Sequence, residues 1–158
     1  MLAFLACGAL CAQRGGRLQL ALPLFWVVHA LAAIASVFWP APERALALAN
    51  LASLCAFGLA IALGAPGPRA IVFVMAVLFG ASHGLANAGA IPPGANVLVV
   101  LAGVIVAAIA SSAWAYAAID FLLGLKQPWI DVAVRAAGSW IAAIGLLVLA
   151  TTWKLRFA

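Results

Sequence analysis

Charge is what this sequence has least of. Of its 158 residues only 7% are Asp, Glu, Lys or Arg, and just three of those are acids. There are two histidines and one tyrosine. So small a set holds no cluster of acids, no serine–histidine–acid arrangement and no phosphate-binding loop. An enzyme is excluded on that ground. The eight basic residues give a net charge of +5. They stand apart, as Arg14, Arg17, Arg44, Arg69, Lys126, Arg135, Lys154 and Arg156, between long apolar runs. That spacing fits membrane-topology signals, not a patch that follows a phosphate backbone, so nucleic acid is excluded as a partner. Cysteine is scarce too. Cys7 and Cys11 share a helix face, but no further soft ligands stand near them in sequence to complete a metal site. With Cys55 they read as small buried side chains, and no disulfide framework is implied. No basic residue precedes the first apolar stretch, so Met1–Ala12 is expected to be mature protein and not a signal peptide.

What the chain does have is apolar surface. Hydrophobic residues make up 69% of it, where about 45–50% is ordinary for a soluble domain. A soluble fold of this size could not hide that much. The expectation is one all-α domain over residues 1–158, a polytopic integral membrane bundle of six segments. The segments are Met1–Ala12, Leu18–Trp39, Ala45–Leu63, Ala70 to about Ala86, Ala95 to about Leu123, and Trp129–Trp153. Glycine, proline and polar turns separate them. At 1.5 Å per residue the first reaches only ~18 Å, short of a ~30 Å hydrocarbon core. The fifth is long enough to tilt or bend.

Six segments put both termini on one side. The opposite side then carries Arg14, Arg17, Arg69 and Lys126, with Arg135 a little way into segment six. The positive-inside rule makes that side cytoplasmic and leaves both termini outside. Lipid does not drive helices together by the hydrophobic effect, so small residues must let backbones approach. Gly80 and Gly84 form a G-x-x-x-G pair, and Gly138 is a further packing position in segment six. Such faces suit packing within the bundle or against another protein.

Few polar residues remain to carry chemistry. His83 ends segment four beside Gly84 and Asn87, as a metal ligand or proton carrier, or as a neutral histidine bonded to a carbonyl. His29 lies in the middle of segment two. It could bond a neighbouring helix or ligate a haem or chlorophyll-type pigment, but Phe25, one turn earlier, leaves little room for a macrocycle. Ser112, Tyr116 and Asp120 form one polar stripe on segment five. The stripe is either the wall of a substrate path or a set of interhelical bonds with an ion pair from Asp120 to Lys126 or Arg135. Asp131 and Arg135, four apart, are expected to pair.

Several stretches resemble the HupE/UreJ family of small bacterial membrane proteins. They are Met1–Gly8, then Gly15-Gly16-Arg17 with Leu22-Pro23-Leu24, then His83-Gly84-Leu85-Ala86-Asn87-Ala88-Gly89-Ala90-Ile91-Pro92, then Val134–Gly145. They follow one another in order along essentially the whole chain. The resemblance implies a place in the bacterial inner membrane, an association with hydrogenase or urease systems, and nickel or cobalt as cargo. The family's first helix begins with H-P-x-x-G-x-D-H, which would fall ahead of Met1. Its second motif, H-G-x-A-H-G-x-E-x-P, keeps only His83; its second histidine falls on Asn87 and its glutamate on Ala90. Either the chain is truncated or mis-started, or it has lost transport and kept the bundle. A selective nickel or cobalt site wants more than one imidazole and one amide.

The expectation on these grounds is a non-catalytic HupE/UreJ-like membrane subunit that packs against a larger hydrogenase, respiratory or photosynthetic complex and helps it assemble. The first alternative is a nickel/cobalt permease with a degenerate metal site at His83 and Asn87, with Asp120 on the path. The second is a pigment- or haem-contacting subunit through His29.

Overall fold

Glycine and proline cut the apolar runs into helices at the points where the backbone must turn. The computed structural model describes residues 1–39, 42–64, 68–87 and 91–154. Six helices follow in order: α1 Leu2–Arg14, α2 Ala21–Ala35, α3 Glu43–Leu63, α4 Arg69–Leu85, α5 Val97–Gly124 and α6 Pro128–Lys154. Ala90 and Arg156, both used in the reading of the sequence, lie outside the described residues.

Each terminus has a local cause. Gly15 and Gly16 both take positive φ, 58° and 56°, which stops α1 and turns the chain into a 3-10 segment, Gly16–Leu20, ahead of α2. Gly64 ends α3 in the left-handed conformation. The Asn96 side chain accepts hydrogen bonds from the backbone N–H groups of Leu98 and Val99 and so caps α5. Pro128 opens α6, where its missing N–H costs nothing. Segment two is therefore shorter as an α-helix than its apolar run suggests. Its first residues wind as 3-10 instead, and it gives way to turns at Ser36.

The span from Leu18 to Ala35 and helices α3, α5 and α6 are long and apolar enough to cross a membrane, whereas α1 and α4 are shorter apolar helices. The chain is a multi-pass membrane protein. Its outer surface says the same: Leu31, Leu78, Trp114, Phe121, Trp140 and Leu147 are all exposed, as a lipid-facing surface requires.

Short α1 is the centre of the bundle, with Ala3, Phe4, Ala6, Cys7, Gly8, Leu10, Cys11 and Ala12 all buried. A helix apolar all round is a buried helix. It packs on α5 at Gly8, where an added Cβ would collide with the carbonyl of Ser112 and come within 3.0 Å of the Tyr116 nitrogen. The α2 and α4 helices run side by side in parallel: Gly80 lies on Phe25, and Gly84 on the stretch from His29 to Ala33. By contrast α3 and α6 are antiparallel. There Gly138 meets Ile61 and Ala62, while Gly145 meets Leu54 and Cys55. Phe4, Phe25, Phe57 and Phe79 fill the space between these seams with edge-on contacts. Cys7, Cys11 and Cys55 are free thiols.

One end of the bundle gathers side-chain donors, two of them cationic, onto carbonyls. Gln13 Nε2 donates to the Ile61 carbonyl (3.1 Å), Arg14 to Ala60 (3.2 Å), and Arg135 Nε to Ala62 (3.0 Å). These acceptors lie in the last turn of α3, where carbonyls lack i+4 partners and the dipole is negative; the Ile61 carbonyl also accepts from the Gly64 N–H. Among the described residues no ion pair forms, so the expected Asp131–Arg135 pair is absent. Arg135 turns to α3 instead, because an exposed i, i+4 pair is worth only ~0.2–0.5 kcal/mol and the carbonyls offer a charge-assisted bond.

The stripe on α5 is structural where it is buried. Trp26 Nε1 donates to Ser112 Oγ (2.7 Å), and Ser112 donates to the Ala108 carbonyl (2.7 Å). Tyr116 is half-buried beside α1, and Asp120 is exposed with no ion pair to Lys126 or Arg135. Removing the Trp26 bond with Trp26→Phe is expected to cost about 0.6 kcal/mol, the average for an interhelical bond in a membrane. Thermal unfolding in mild detergent measures it. A loss above ~2 kcal/mol would show that the ring's fit matters more than its N–H.

Candidate functional site

The polar side chains not spent on capping or on Ser112 collect at the end of the bundle opposite the Arg14–Arg135 cluster. Helix α4 brings His83 there, α2 brings His29, and α3 brings Asn50 and Ser53. Phe4 of α1 lies against both imidazoles, with ring centroids 5.2 Å from His29 and 5.3 Å from His83. The Gly84 contact explains why the two histidines are neighbours. With no side chain at Gly84, α4 comes down onto the backbone of α2 at His29, and His83 is the adjacent residue.

His83 is held by a defined bond. Its Nε2 lies 2.9 Å from Ser53 Oγ, and that hydroxyl in turn lies 2.6 Å from the Asn50 carbonyl. A hydroxyl has one proton. Ser53 donates it to Asn50, so its oxygen accepts from His83 Nε2–H. The imidazole is thereby fixed as the tautomer whose free lone pair is on Nδ1, the nitrogen available to a ligand. Asn87 Nδ2 donates to the His83 carbonyl (2.9 Å), closing the end of α4. Asn87 thus spends part of its amide on capping.

His29 is different. It is 1% exposed, packed edge-on against Phe4 and stacked on Phe25 at 6.2 Å, and neither ring nitrogen has a hydrogen-bond partner. The Asn50 Oδ1 is also buried and unpartnered. The expected role of His29 as a pigment or haem ligand does not fit this geometry. The ring is inside the bundle between two phenyl groups, with no face open to a macrocycle.

Sequence reasoning placed His83, Asn87 and Asp120 on one path. Asp120 is near the end of α5 that leads into α6, at the far end of the bundle from His83, so it does not join them. Gly80, Gly84 and Gly138 pack on helices of the same chain. Asn50 and Ser53 escaped the sequence reading. Their signal was two polar residues three apart inside an apolar run, which places them on one helix face. Among the described residues no group of three or more His, Cys, Asp or Glu side chains could hold a metal ion. Two imidazoles with amide and hydroxyl oxygens make a neutral, polar station at this end of the bundle.

The family model described as HupE / UreJ protein matches residues 1–148. The chain belongs to the HupE/UreJ family. Proteins of this family are generally nickel/cobalt transporters, not enzymes. Comparison of this HupE/UreJ chain with curated proteins and with solved structures finds no match. The matched span takes in α1 to α5 and most of α6, and with them every residue of the polar station.

Proposed function

We propose that this chain is a nickel/cobalt permease of the HupE/UreJ type, with His83 on the path of the ion. The family match over residues 1–148 carries this reading. The polar station around His83 supports it, because polar groups at membrane depth are costly and mark ion pathways. Imidazole nitrogen suits nickel, and a carrier's site must bind weakly enough to let go. The reading as an accessory subunit of a larger complex has less behind it. The small-residue faces at Gly80, Gly84 and Gly138 that would have docked a partner are filled from within. The distribution of Arg14, Arg69, Lys126 and Arg135 favours a cytoplasmic location for their end, with both termini and the polar station toward the periplasm of a bacterial inner membrane.

The test is uptake of radioactive nickel and cobalt by cells lacking their own transporters. Cells expressing the chain should accumulate either ion several-fold above empty-vector cells. Equal accumulation, with the protein present in the membrane, rejects the permease.

A further inference from the structure

The other buried polar residues, Ser36, Ser53, Ser82 and Ser112, each make a side-chain hydrogen bond, which sets His29 apart. A neutral imidazole has one N–H to donate and one lone pair to offer. In His29 both are buried and neither makes a hydrogen bond of ordinary geometry; the Gly80 carbonyl across the seam is the one backbone group placed toward its N–H, and the lone pair faces none. Leaving them so at membrane depth is costly. Packing does not ask for an imidazole at this position: the ring sits between Phe4 and Phe25, where a phenyl ring would do the same work without the cost. A buried polar group with no partner in the fold points to a ligand that arrives from outside it.

The surroundings indicate which ligand. His83 lies across the α2–α4 seam, and both imidazoles rest on the single ring of Phe4. The nearby oxygens, of Ser53 and Asn50, are neutral, and Asn50 Oδ1 is itself unmet. Paired neutral imidazoles with neutral oxygens match a borderline divalent transition-metal ion far better than an anion or an alkali cation.

We propose that His29 is a second imidazole ligand of the transported divalent ion, acting with His83 around Phe4. The choice of ion rests on the permease reading above. The side chain of Phe4 lies against both rings and must shift for two nitrogens to meet one ion.

The experiment uses the purified full chain in detergent, titrated with Co²⁺, whose visible absorption reports nitrogen ligation. The unaltered chain should bind Co²⁺, and His29→Phe and His83→Phe should each weaken binding by at least about tenfold. Thermal unfolding of the ion-free protein is recorded beside it. His29→Phe should unfold at the same temperature as the parent or higher, because it removes two unmet polar atoms and keeps the ring. A purely structural histidine would instead lose stability and leave Co²⁺ affinity unchanged. If His29→Phe does not fold, His29→Gln takes its place under the same criterion. Co²⁺ affinity unchanged by the substitution, or no Co²⁺ binding by the parent chain, overturns the proposal. Uptake by cells judges the permease separately: unchanged Co²⁺ affinity with intact uptake sinks His29 alone, and absent uptake sinks the permease while binding still decides His29.

Discussion

Alanine at Gly84 is expected to destabilise the bundle by about 3 kcal/mol, the upper end of ordinary overpacking, and leucine there to leave no folded protein. The reason is what the new atoms would touch. A Cβ at Gly84 collides with the His29 carbonyl and comes within 2.7 Å of Ala32 Cβ and 2.9 Å of the Ala33 nitrogen. Most of these atoms are backbone, which cannot rotate aside as a long side chain can. The two helices must separate, and every close contact along the α2–α4 seam weakens with them. Gly8→Ala should behave alike, because its Cβ would run into the carbonyl of Ser112 on α5. The control is Gly103→Ala. That position has nothing within 4 Å of an added Cβ, so the substitution should be neutral or stabilising by up to about 1 kcal/mol, through the lower chain entropy of alanine. Circular dichroism melts in mild detergent measure all three. A Gly84→Ala protein that melts with the parent would show that α2 and α4 are not in this contact, and with that would remove the reason His29 and His83 are neighbours.

The helices were legible because their ends are written locally. Pro42, Gly64, Pro68, Asn96 and Pro128 each act on the residues beside them, and the expected and observed segments differ by a residue or two there. The start of α2 was less legible, since a 3-10 turn of Gly16–Leu20 is as apolar as the helix it precedes. The place of α1 was not legible at all. Its 13 residues look like a fragment by length, yet they are the axis of the bundle. Length is local, whereas centrality depends on which faces five other helices present. The same limit hid the site. Gly80 and Gly84 read as a packing pair, but a small residue looks the same whether its partner is a foreign helix or α2 of its own chain. His29 and His83 lie on different helices with α3 between them in sequence, and only that seam brings them to the same phenyl ring. Asp131 and Arg135 show the converse error, because a local rule paired them and the open carbonyls of α3 won Arg135 instead.

Cells carrying His83→Ala are expected to take up nickel and cobalt no faster than cells without the protein. The imidazole is one of two at the polar station, and its loss leaves a single imidazole among neutral oxygens, too few nitrogen ligands to draw a divalent ion out of water. The fold should survive the change. His83 is only half-buried, and its one side-chain bond is to Ser53. Normal amounts of His83→Ala in the membrane with uptake at the parent rate would take His83 off the path. Ser53→Ala separates orientation from mere presence. It removes the oxygen that accepts from Nε2–H, and with it the constraint that keeps the lone pair on Nδ1. Losing such a supporting bond typically costs 10–100-fold in metal affinity or activity. Uptake should therefore fall by about tenfold and not vanish, since the imidazole remains and can find the right tautomer part of the time. Uptake unchanged by Ser53→Ala, beside uptake abolished by His83→Ala, would mean that the ring is positioned by its packing against Phe4 and not by its hydrogen bond.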